Sequence, residues 1–171
     1  MDPEANIRGS DRDPGGVRVV IVGLGNILQG DDGVGVLAVE GLPAPAGLPE
    51  RVRVLSGGTV GVDLLAWLEP DERVVLLDAV RAGERPGTLH RIDLEDIEDP
   101  DRPALSVHDL GVRHLLQQAR LLGRPLYGVL LGVEPEVLEP ALRRLSPAVA
   151  AVLPALRSAA LQEAGRLAGP I

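Results

Sequence analysis

The stretch Val17-Arg18-Val19-Val20-Ile21-Val22, running directly into Gly23-Leu24-Gly25-Asn26-Ile27-Leu28-Gln29-Gly30-Asp31-Asp32-Gly33-Val34-Gly35, decides how this chain folds. Its opening is a short, nearly continuous run of β-branched apolar residues, the pattern of a strand buried on both faces. The glycines break that strand in a turn. Gly33–Leu42 then reads as a helix closed by the loop Pro43–Pro49. Strand, tight turn and helix together make the first unit of an alternating α/β chain.

The alternation continues outward from there. Arg51–Leu55 alternates as a strand nearer an edge would, Thr59–Leu68 reads as a helix ended near Pro70, and Arg73–Asp78 is another buried strand. A shorter strand, Thr88–Ile92, follows the Pro86-Gly87 turn. Within Asp109–Leu122, Val112, Leu115, Leu116, Ala119 and Leu122 fall on one face of an amphipathic helix. Leu126–Gly132 gives a last strand. Ser146-Pro147 supplies the cap and first turn of a C-terminal helix, which Pro154 is expected to kink or divide. This order predicts a three-layer α/β fold, with a twisted, mainly parallel sheet of about five strands between helices. One domain over residues 17–168 accounts for the whole pattern. Met1–Gly16 is polar, mixed in charge and without a signal peptide's apolar core, and reads as a disordered tail.

Composition narrows the function. A chain of 171 residues needs no disulfide to hold a core, and it has no cysteine. Thiolate metal sites, iron–sulfur clusters and cysteine nucleophiles are therefore excluded. The net charge of −8 argues against a nucleic-acid backbone as partner, and one Trp, one Tyr and no Phe leave no stacking platform. The longest apolar runs are far short of a membrane span. The expectation is a soluble, cytoplasmic protein with an aliphatic core, monomeric or weakly homo-oligomeric.

In a parallel sheet, ligands bind at the carboxyl ends of the strands. The glycine turn after the first strand is not a dinucleotide fingerprint. Leu28 stands where the third glycine would be, and Ser56, not an acid, follows Leu55. A phosphate loop is excluded because the chain has no lysine. What the turn presents is two adjacent carboxylates, Asp31 and Asp32, flanked by glycines. They fit either a site or acids at a helix start, with Asn26 as an Asx turn. Asp78 closes the strand Val74–Leu77 and lies in the crevice by topology, as a ligand or as a turn aspartate. His108 precedes the amphipathic helix, where Ser106 and Asp109 resemble a capping pair that would hold it on a short loop. His90, inside a strand, and His114, on a helix flank, are weaker candidates. Asp32, Asp78 and His108 would form an O/O/N donor set suited to Ni²⁺, Zn²⁺, Co²⁺ or Fe²⁺, with a coordination position left open. Their separations of 46 and 30 residues do not by themselves bring them together.

Six blocks add a resemblance. GLGNILQGDDGVGV (Gly23–Val36), SGGTVGVDLL (Ser56–Leu65), VVLLDAV (Val74–Val80), SVHDLGV (Ser106–Val112), GVEPEVLEP (Gly132–Pro140) and LSPAV (Leu145–Val149) follow one another in the order and spacing of the [NiFe] hydrogenase maturation endopeptidases. Those enzymes remove a C-terminal extension from the hydrogenase large-subunit precursor. The resemblance implies a metal site of Asp32, Asp78 and His108, catalytic roles among Asp32, Asp31 and Asp78, and nickel that arrives with the substrate. Other divalent ions such as Zn or Cd are compatible with such a site. Two routes to bond cleavage follow: Lewis-acid assistance by the metal, or a carboxylate base, Asp31 or Asp32, acting on water. One block departs from the family, which commonly carries an acid where this chain has Ser56. That departure keeps a second reading open, a nickel-sensing or chaperone module that binds the precursor without cutting it. A generic nucleotide-binding domain is the third, and the failed fingerprint counts against it.

Overall fold

The computed structural model describes residues 17–43, 48, 50–59, 61–97 and 107–169, except the side chains of residues 62 and 107–110. The expected tail, Met1–Gly16, lies outside the described residues, as does Ser106 with the cap assigned to it. Five strands form one sheet: β1 (Val19–Leu24), β2 (Val52–Gly58), β3 (Arg73–Ala79), β4 (Leu89–Asp93) and β5 (Tyr127–Val133). Their spatial order is β2-β1-β3-β5-β4. β1 pairs in parallel with β2 and β3, and β3 in parallel with β5, while β4 runs antiparallel at the edge. The mainly parallel five-stranded sheet expected from the sequence is the one observed.

Strand alternation sorts the core into two layers. Val19, Ile21, Val75, Leu77, Val129 and Leu131 point to one face. There they pack on helices α1 (Val34–Glu40) and α4 (Pro147–Ala168) through Ala38, Val39, Leu156 and Ala160. Val20, Val22, Val74, Leu76 and Leu130 point to the other. That face is covered by the 3₁₀ turn Gly61–Ala66, the short helix α2 (Leu94–Ile97) and α3 (Val107–Leu121), through Leu64, Leu94, Leu115 and Leu116. β1 and β3 are buried along nearly their whole length, which is why they read as unbroken apolar runs. The core is aliphatic, with Trp67 and Tyr127 both exposed.

Three expectations need correcting. Where a helix is expected over Thr59–Leu68, the chain forms a 3₁₀ segment over Gly61–Ala66, with Gly61 at φ +56° at its start. α3 begins at Val107, so His108 sits in its first turn and not on a preceding loop. Pro154 does not divide the C-terminal helix, which runs unbroken for 22 residues. Pro154 lies on the exposed side with Ala150, so the carbonyl it leaves unbonded faces solvent, while Val149, Leu156, Ala160 and Ala164 stay buried on either side. Among the described residues, no helix is long and apolar enough to cross a membrane.

Candidate functional site

β1 has β2 on one side and β3 on the other, so the chain reverses its direction of travel across the sheet at β1. Helical connections leave a crevice at such a switch point. Here it is a cavity of about 230 Å³, lined by Leu24, Gly25, Asp32, Gly58, Asp78 and the α3 residues Gly111, Val112 and Leu115, among others. The carboxyl ends of three strands and the first half of α3 therefore share one cleft.

Asp32 reaches it from a 3₁₀ turn, Gly30–Gly33, that links β1 to α1. Its Oδ2 accepts the Asn26 N–H at 2.9 Å. Asn26 in turn holds the loop as the expected Asx turn, its Oδ1 accepting the Leu28 N–H at 3.0 Å. Gly25 N–H donates to the Gly58 carbonyl at 3.0 Å and ties the ends of β1 and β2 together. Asp78 enters from β3, opposite Gly132 of β5, with its Oδ1 accepting the Ala79 N–H at 2.8 Å. Both carboxylates are 6% exposed, so they reach solvent only through the cleft. Two carboxylates lining one cleft make an oxygen donor pair suited to a cation.

The structure thus brings Asp32 and Asp78 together. His108 stands one turn before Gly111 and Val112 on α3, at the end of the helix nearest the cleft, and its side chain lies outside the described residues. Among the described residues no group of three metal-ligating side chains occurs.

Asp31 goes elsewhere. It has no exposed surface, and its carboxylate is taken up by backbone donors. Glu136 N–H and Val137 N–H donate to Oδ2 at 2.9 and 2.8 Å, and Ser146 N–H donates to Oδ1 at 2.6 Å. It does not line the cleft. Ser56 does not line it either. It is exposed near the end of β2, opposite Gly23. His114 is exposed on α3.

His90 lies on β4 with Nε2 3.5 Å from Glu134 Oε2. Sequence reasoning passed over Glu134 itself. It is buried, and its carboxylate accepts Ala82 N–H at 2.7 Å and Gly83 N–H at 3.3 Å, holding the loop that leaves Asp78. A carboxylate directly after the apolar run Val129–Val133 was the same signal that singled out Asp78.

Comparison with known proteins follows the same lines. The family model for hydrogenase maturation proteases matches residues 36–163. The hydrogenase 2 maturation protease of Escherichia coli is 36% identical over 154 residues, which cover 87% of this chain and 93% of that protein. The hydrogenase expression/formation protein HupD of Rhodobacter capsulatus is 39% identical over 140 residues, 78% of this chain but 64% of its own length. This chain therefore spans just under two thirds of that relative. Among solved structures, the hydrogenase maturating endopeptidase HybD of E. coli superposes with a TM-score of 0.70 at 32% identity, covering 87% of this chain and 94% of that one.

Proposed function

Since this chain belongs to the hydrogenase maturation protease family, and so to a class of peptidases, we propose that it removes the C-terminal extension of a [NiFe] hydrogenase large-subunit precursor once nickel has been inserted. The observation that carries this reading is the convergence of Asp32 and Asp78 in one cleft beside the first turn of α3, where His108 stands. Two carboxylates and an imidazole are the hard and borderline donors a divalent nickel ion accepts, and three protein ligands leave room for groups of the substrate. The nickel is substrate cargo, and the cleft is built to engage it. Engagement fixes the precursor so that the peptide bond to be cut lies against the cleft, which converts recognition into orientation. Bound there, the ion supplies Lewis-acid assistance to hydrolysis.

The carboxylate-base route assigns Asp32 the removal of a proton from water instead. Kinetics separate the two. A ligand role requires Asp32→Asn to weaken binding of the loaded precursor and slow cleavage together. A base role requires cleavage to fall with binding retained.

The test is to mix the purified protein with nickel-loaded and nickel-free precursor and follow precursor mass. Cleavage of the loaded form alone is expected. An intact loaded precursor, with both proteins folded, would overturn the proposal. Ser56, standing where the family commonly has an acid, favours one second reading, a non-catalytic nickel-sensing or chaperone module. Stable binding of the loaded precursor with no change in its mass would select it.

A further inference from the structure

Asp31 and Asp32 are adjacent, yet their carboxylates are used in opposite ways. Asp32 lines the cleft, whereas Asp31 is fully buried and receives three N–H groups from a segment more than 100 residues away in sequence. The same segment is laced to the turn by backbone bonds: Asp31 N–H to Val137 carbonyl at 2.8 Å, Ala141 N–H to Leu28 carbonyl at 3.0 Å, and Arg143 N–H to Ile27 carbonyl at 2.6 Å. Gln29 and Ala141 form an isolated parallel bridge between the two stretches. On the far side, Ser146 also caps α4, its Oγ accepting the Val149 N–H. The carboxylate therefore ties the 3₁₀ turn, the loop after β5 and the start of α4 into one body.

A carboxylate that accepts three backbone N–H groups, on both of its oxygens, is held in place, and to reach a water or a peptide bond it would have to give up these bonds. From this geometry we infer that Asp31 is a positioning residue for the cleft. By clamping the Gly30–Gly33 turn to the backbone of Glu136, Val137 and Ser146, it sets the direction from which the Asp32 carboxylate meets a metal ion. The inference rests on the reading of Asp32 as a metal-engaging residue. It makes the segment from Glu136 to Ser146, which contributes no lining residue to the cleft, a determinant of the cleft's geometry.

Co²⁺ is the probe, because its visible bands report coordination geometry independently of peptide cleavage. Wild type, Asp32→Asn and Asp31→Asn are compared by Co²⁺ titration, band position and circular dichroism. Wild type should bind and Asp32→Asn should lose binding. Asp31→Asn should keep the folded spectrum, bind roughly 10–100-fold more weakly, as loss of an outer-shell partner does, and show shifted bands. Bands and affinity of Asp31→Asn equal to wild type, with Asp32→Asn impaired, would overturn the inference and leave the cleft reading intact. Binding by Asp32→Asn equal to wild type would instead remove the cleft reading, and the inference with it. If Asp31→Asn does not fold, Val137→Pro deletes one of the three donors at a partly exposed position and must shift the bands in the same direction; unshifted bands there overturn the inference.

Discussion

Gly25 shows how much of the site rests on one residue without a side chain. It sits at φ +109°, and a Cβ there would fall 1.8 Å from the Asp32 carbonyl oxygen and 3.5 Å from Asp78 Oδ1. No rotamer change relieves a backbone clash, so Gly25→Ala must push the Asp32 turn away from β3. Added to the cost of the backbone angle, this should destabilise the protein by at least about 2 kcal/mol. Urea unfolding measures that loss, and Ni²⁺ calorimetry on the folded fraction should show binding weakened as well. Unchanged affinity in a folded Gly25→Ala protein would mean that the turn is not a determinant of the cleft.

At the scale of elements, α1 is held tightly against the sheet. Gly35, one turn past Asp32, lies so close to the sheet that a Cβ would meet the Leu77 carbonyl at 2.1 Å and the Leu24 carbonyl at 2.5 Å. The helix can therefore bring Asp32 down onto the strand ends. At its other end Arg157 of α4 caps it, with Nε–H and Nη2–H donating to the carbonyls of Ala38 and Leu37 at 3.0 and 2.9 Å. A cation on the C-terminal carbonyls, one of which also accepts the Gly41 N–H, suits both the hydrogen-bond requirement and the helix dipole. Gly35→Ala should cost about 1–3 kcal/mol by overpacking, read as a lower urea midpoint with unchanged slope. A stability equal to wild type would show that α1 can lift from the sheet freely.

Taken as a whole, the molecule is fastened across its layers by a few charged contacts. Glu72, with its side chain 2% exposed, receives Arg53 Nε–H at 2.6 Å and Nη2–H at 2.7 Å, tying edge strand β2 to the start of β3. The hydrogen bond to Glu72 holds the Arg53 guanidinium above its ordinary range, against desolvation. On the opposite edge, Glu163 of α4 accepts from Arg91 of β4 at 2.8 Å and from Arg166 at 2.8 Å. Burial pushes the Glu163 carboxyl up, but these two hydrogen bonds outweigh it and leave the group below the usual carboxylate range. A depressed carboxyl stabilises the fold above its unfolded value, about 4.3, and that contribution is lost as pH falls through the lower folded value. Glu163→Gln should therefore lower Tm at pH 7 by the equivalent of at most about 1 kcal/mol, given how exposed Arg91 and Arg166 are. The gap between variant and wild type should close as pH is lowered below about 4. A gap independent of pH would assign the effect to packing instead.

The sequence by itself determined the strands, their mainly parallel order and the placing of Asp32 and Asp78 at the sheet's carboxyl edge. Those features come from local periodicity and from rules of connection that hold for any such chain. The glycine turn around Asp31 and Asp32 was equally legible, but the separate fates of the two carboxylates were not. Only the tertiary structure decided that Asp32 turns into the cleft and Asp31 into the backbone of Glu136, Val137 and Ser146. The physical reason is range. A buried carboxylate goes wherever donors satisfy it, and here those donors come from a loop that folding, not sequence proximity, places against the turn.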